Sequence, residues 1–100
     1  MFIYNISLKI DWLVVEEWLR WMREEHIAEV LATGCFLEAK MFKLLDQDDT
    51  EGPTFIVQYS CNKKIDYLKY KKEYAPALQE KGAVKFGNKV AAFRSIMEKI

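Results

Sequence analysis

Apolar and polar positions alternate strictly at the start of the chain. Phe2, Tyr4, Ile6, Leu8 and Ile10 fall on one face, with Asn5, Ser7 and Lys9 on the other. That period of two predicts a strand. From Trp12 to Ile27 the period changes. At about 100° per residue, Val14, Val15, Trp18, Leu19, Met22 and His26 share one broad arc, with Trp21 at its margin. Glu16, Arg20, Arg23 and Glu24 take the opposite side, so an amphipathic helix is predicted. Asp11 can cap its first free amides, and Glu16 and Glu17 suit the positive end of the helix dipole. Ile27 to Ala32 extends the helix as a less regular turn. Thr33-Gly34 stops it, because glycine enters the left-handed conformation without strain.

Cys35 to Leu45 predicts a second strand, with Cys35, Leu37, Ala39 and Met41 on one side and Phe36, Glu38, Lys40 and Phe42 on the other. Asp46 to Pro53 is acidic and ends in Gly-Pro, the composition of a solvated hairpin loop without an apolar anchor. Its carboxylates lack the spacing of a calcium loop. Thr54 to Cys61 predicts a third strand, with Phe55, Val57, Tyr59 and Cys61 inward. Asn62 is placed to cap a second helix over about Lys63 to Lys81, interrupted at Pro76, which has no amide to donate. Gly82 and Gly87 bracket a connection, and Val90 to Met97 predicts the last strand. The order β-α-β-β-α-β is the ferredoxin-like arrangement, an α+β fold. Its four-stranded antiparallel sheet has order 4-1-3-2, with both helices on one face. The open face would carry Asn5, Ser7, Glu38, Lys40, Phe42, Ile56, Gln58, Ser60 and Arg94. Too apolar to stay bare, it predicts a homodimer packed sheet to sheet.

Composition narrows the picture. One hundred residues suit a single domain over 1–100, and 51% hydrophobic content rules out a disordered chain. Fifteen basic and fifteen acidic residues cancel, leaving no electrostatic footprint for nucleic acid or an anionic membrane. The central strands also turn Tyr4, Phe55 and Tyr59 towards the helices, unlike the exposed stacking aromatics of RNA-recognition sheets. No apolar run reaches the roughly 20 residues of a membrane span, and no export signal is expected at Met1. Cys35 and Cys61 form no metal-binding pattern with His26. The hairpin register sets them about 10 Å apart along the strands, too far to bridge. Two buried thiols in a reducing cytoplasm are expected.

Three blocks carry a resemblance: W-L-R-W-M-R-E-E-H-I-A-E-V-L-A-T-G-C-F at 18–36, Y-A-P at 74–76 and K-F-G-N-K-V-A-A-F-R at 85–94. They resemble a family of short bacterial domains of unknown function. The resemblance implies a dimeric α+β barrel, of the superfamily that also holds antibiotic-biosynthesis monooxygenases and haem-degrading enzymes. It brings no established activity. Relatives tend to have proline after H-I and threonine after F-R, where this chain has Ala28 and Ser95.

Candidate chemistry centres on His26. Ligands of such barrels commonly lie between the sheet and its helices, where the helix arc would place His26. Trp18, Trp21, Tyr4 and Tyr59 would wall an aromatic ligand, and Asn5 would assist. The function expected is binding of a small aromatic molecule. The alternative is a cofactor-independent monooxygenase- or isomerase-like enzyme with His26 as base. Against both stands a structural role, in which His26 closes the helix end by donating to a carbonyl or carboxylate and the tryptophans fill the core. A haem ligand role finds no second feature, so no cofactor is expected. Arg94 could fix a carboxylate or phosphate by its planar fork, or simply pair with Glu38 or an acid of a partner subunit. The lysines at 63, 64, 69, 71 and 72 read as a solvated helix surface.

Overall fold

The computed structural model describes residues 1–100. Strand β1 (Phe2–Ile10) is followed by a helical segment in four pieces. These are a 3-10 turn (Trp12–Val14), α1 (Val15–Trp21), a π turn (Met22–His26) and α2 (Ile27–Ala32). Then come β2 (Glu38–Lys43), β3 (Thr54–Cys61), α3 (Lys64–Glu73), α4 (Ala75–Phe86), a short 3-10 turn (Gly87–Lys89) and β4 (Val90–Glu98). The strands form one antiparallel sheet of order β2-β3-β1-β4, the expected order read from the other edge.

The alternation of β1 is realised: Tyr4, Ile6, Leu8 and Ile10 are buried, and the residues between them are half-buried. Val57 and Tyr59 of β3 join them beneath the helices, which contribute Trp18, Met22, Val30, Tyr70, Leu78 and Phe86 to the same core. Trp18 lies 5.3 Å from Phe55, ring to ring. Tyr4 stands amid Phe36, Tyr59, Tyr67 and Tyr70 with ring centres 5.3–6.1 Å away. Aromatic packing of this kind adds to the area it buries. Asp11 caps the first helical turn, accepting from the Leu13 amide at 2.9 Å.

Five local expectations are corrected. Strand β2 starts at Glu38 rather than Cys35, because the segment after Gly34 crosses irregularly before it pairs. Alternation fails there: Phe36 is buried against Tyr4 and Tyr59, while Leu37 is 62% exposed. The acidic loop is anchored after all. Trp12 Nε1 donates to the Asp49 carbonyl at 2.8 Å, and Gly52 passes so close to β1 that a Cβ there would stand 1.8 Å from the Ile10 oxygen. Asn62 does not cap α3, whose first flanking residue is Lys63 without a side-chain cap. Gly82 is no breaker. Helix α4 runs through it, starting with Pro76 in its first turn, where no donor is needed, and ending at Gly87 in the left-handed region. Arg94 belongs to the helix-covered face, because β4 pairs it with Ile6 and sets Val90, Ala92 and Ile96 on its side. Cys35 and Cys61 are buried free thiols.

Candidate functional site: a cavity between sheet and helices

A cavity of about 250 Å³ lies between the sheet and the helices. Ile6 and Leu8 of β1 and Val57 and Tyr59 of β3 supply the sheet side. Trp18, Trp21, Met22 and His26 form one helical wall, and Leu78, Gln79, Gly82, Ala83 and Phe86 of α4 form the other. Gly87 and, on β4, Val90, Ala92 and Arg94 complete it. Gln79, Ala83, Gly87, Ala92 and Arg94 are the exposed members, so the cavity opens between α4 and edge strand β4.

The π turn explains how Trp21 and His26 meet. Five residues apart in a regular α-helix, they would point about 140° away from each other. Here the Ile27 amide bonds back to the Met22 carbonyl, five residues earlier, which widens the turn and brings residues five apart together. The rings stack with centres 4.5 Å apart and planes at 20°. Trp21 also meets Phe86 edge-on at 5.4 Å. Its ring reaches α4 over Gly82, where an added Cβ would lie 3.4 Å from it.

His26 forms no helix-closing hydrogen bond. Its Nδ1 is buried without a partner, and so is the Tyr59 hydroxyl. Burial pulls the imidazolium pKa down to about 4; Glu29 opposes this, and Arg94 and Lys81 add to it. His26 is therefore neutral near pH 7. Burial, with Tyr70 and Tyr4 adjacent, raises the Tyr59 phenol well above its ordinary range, so it stays protonated. The Tyr4 phenol is also raised by burial, with Arg94 and Gln79 beside it pulling the other way.

Of the residues singled out from sequence, the cavity brings together Trp18, Trp21, His26 and Tyr59. Tyr4 lies next door, in a smaller hollow. Asn5 is on the opposite face of the sheet, accepting from Gln58 Nε2 at 3.1 Å, and so cannot assist a ligand here. Sequence reasoning missed Gln79, Phe86 and Arg94 as lining. The available signal was the set Val90, Ala92, Arg94 and Ile96, obscured because the alternate set, Ala91, Phe93, Ser95 and Met97, is no less apolar. No three histidine, cysteine or acidic side chains gather where they could hold a metal ion.

A family model described as a domain of unknown function, DUF4286, matches residues 1–100. The chain belongs to this family. No curated protein matches it. Among solved structures, the DUF4286 chain is similar to a candidate antibiotic biosynthesis monooxygenase from Deinococcus radiodurans at TM-score 0.68 and 12% identity, covering 100% of this chain and 93% of that one. A dimeric ferredoxin-like protein from an uncultured marine organism gives 0.68 and 15%, with 100% and 95% covered. A monooxygenase of Streptomyces coelicolor, in complex with the ligand nanaomycin D, gives 0.59 and 9%, with 99% and 88% covered. These likenesses are of fold, and the DUF4286 fold here is ferredoxin-like.

Proposed function

We propose that the protein is a homodimer that binds a small aromatic molecule in the cavity between its sheet and helices. The observation that carries this reading is the chamber itself, walled mainly by apolar and aromatic side chains such as Trp18, Trp21, Tyr59 and Phe86, with the buried, unpartnered His26 Nδ1 and Tyr59 hydroxyl on two of its lining residues. Buried polar groups are nearly always paired, and each unpaired one costs about 1–3 kcal/mol. A ligand hydroxyl or carbonyl would offset that cost where either side chain turns its polar atom into the chamber. The volume is sufficient. An apolar cavity of about 150 Å³ takes benzene, so this one has room for two fused rings. The solved monooxygenase that holds nanaomycin D has the same fold, which is consistent with a ligand here.

The dimer would form through the open sheet face. Phe42, Phe93 and Met97 lie there with exposures of 48, 71 and 41%, more apolar surface than an uncovered sheet normally shows.

A second reading makes His26 the base of a cofactor-independent oxygenase or isomerase. Its neutral form and its place in the cavity favour that reading; its basicity does not. Moving a proton from a phenol of pKa about 10 to an imidazole of about 4 is uphill by roughly 8 kcal/mol. His26 is better suited to accept a hydrogen bond than to take the proton. Titration with 2-naphthol, followed by tryptophan fluorescence, tests the binding reading. A saturable change that is weakened by Leu78→Trp, which fills the chamber, is expected. An unaltered titration in that variant would count against it.

A further inference from the structure

The main chamber and a second hollow of about 170 Å³ meet at Gln79 and Arg94, which line both. Tyr4, Tyr67, Tyr70, Lys71 and Ala75 make up the rest of the second hollow. Neither lining contains an aspartate or glutamate, whereas Arg94 and Lys71 are both cationic. Arg94 takes part in none of the three salt bridges of the chain. Its charge instead acts on Tyr4, His26 and Tyr70. A guanidinium with no acid to pair with therefore sits at the edge of an aromatic chamber, beside the Gln79 amide.

We infer that the ligand is an aromatic carboxylic acid, its rings in the chamber against Trp18, Met22 and His26 and its carboxylate held at the junction by Arg94 and Gln79. This rests on the binding reading above and names the ligand class for the same site. The chemistry follows from shape and charge. The guanidinium fork matches a planar carboxylate through two parallel hydrogen bonds, an arrangement a point charge cannot reproduce. The neutral amide of Gln79 adds a donor, and Lys71 lends a second positive field without an acid to cancel it. Because the junction lies on the open side of the cavity, Arg94 stays hydrated in the free protein and needs no internal partner. The chamber behind it admits one or two rings but not a nucleotide, whose binding would need a larger cleft.

The test compares 2-naphthoate with its neutral isostere 2-naphthamide by calorimetry, on the wild-type protein and on Arg94→Gln and Arg94→Lys. Circular dichroism confirms that each variant is folded, which is expected for a substitution at an exposed edge-strand position. Wild-type protein should bind the acid about tenfold more tightly than the amide. Arg94→Gln should remove that preference by weakening the acid far more than the amide, and Arg94→Lys should restore only part of it. Equal binding of acid and amide to wild type, or a preference that survives in Arg94→Gln, overturns the acid anchor while leaving the chamber reading intact. Absence of binding by both compounds overturns the two together.

Discussion

Burial of the His26 imidazole in the cavity wall gives stability a pH dependence that can be worked out in sign and range. The unfolded imidazole has a pKa near 6.5 and the folded one about 4, so the unfolded chain takes up a proton first as pH falls. Above pH 6.5 the group is neutral in both states and contributes nothing. Between 6.5 and 4 it lowers stability progressively, by roughly 3 kcal/mol in all, and below 4 the loss levels off. Urea unfolding at pH 7 and pH 4.5, with wild type compared against His26→Phe, isolates this from titrating carboxylates. The wild type should lose more stability than the variant over that interval, and parallel losses would show that His26 is solvated. Two glycines should respond in opposite directions. Gly82→Ala places a Cβ in ordinary contact with Trp21 inside α4, so it should stabilise by about 0.5–1 kcal/mol through helix propensity. Gly52→Ala meets the Ile10 carbonyl, and should cost more than about 2 kcal/mol in the same assay.

Elements were legible wherever a single period ran unbroken. The strand at Phe2–Ile10 and the helix through Trp18 and Met22 follow from alternation and a 3.6-residue repeat, because each buries one face only. What periodicity could not reveal was a change of period within an element. The π turn at Met22–His26 contains no glycine or proline to announce it, yet it alone carries His26 round to stack on Trp21. The last turn of α4 was missed for the reverse reason: Gly82 reads as a breaker, yet the helix runs through it to Phe86, because one glycine in a helix interior costs only about 1 kcal/mol. Arg94 was misplaced because both faces of β4 mix apolar and polar residues, so the register against Ile6 decides. The joint between α4 and the first helical segment carries two ion pairs, Lys85–Glu17 at 3.2 Å and Lys81–Glu29. All four side chains are a third exposed or more, so their contribution is small beside apolar packing. Lys85→Ala should shift unfolding midpoints very little. Phe86→Ala, which removes a 6%-exposed ring from beside Trp21, should cost about 3–5 kcal/mol.

In the molecule as a whole, the two proposed contacts use opposite faces of the sheet: the dimer the open face, the ligand the cavity beneath the helices. Phe93→Glu on the open face should convert a dimer to a monomer in light scattering without loss of helical signal, since its side chain is 71% exposed and supports no core contact. A wild-type monomer at micromolar concentration would refute the dimer. The functional reading stands or falls with the cavity, and side-chain NMR with added 2-naphthoate reports on the cavity itself. Intermolecular nuclear Overhauser effects are expected from the naphthalene protons to the Met22 methyl, the Leu78 methyls and the His26 ring. Effects confined to Phe42, Phe93 and Met97 on the opposite face, with the cavity residues silent, would contradict a ligand site between sheet and helices.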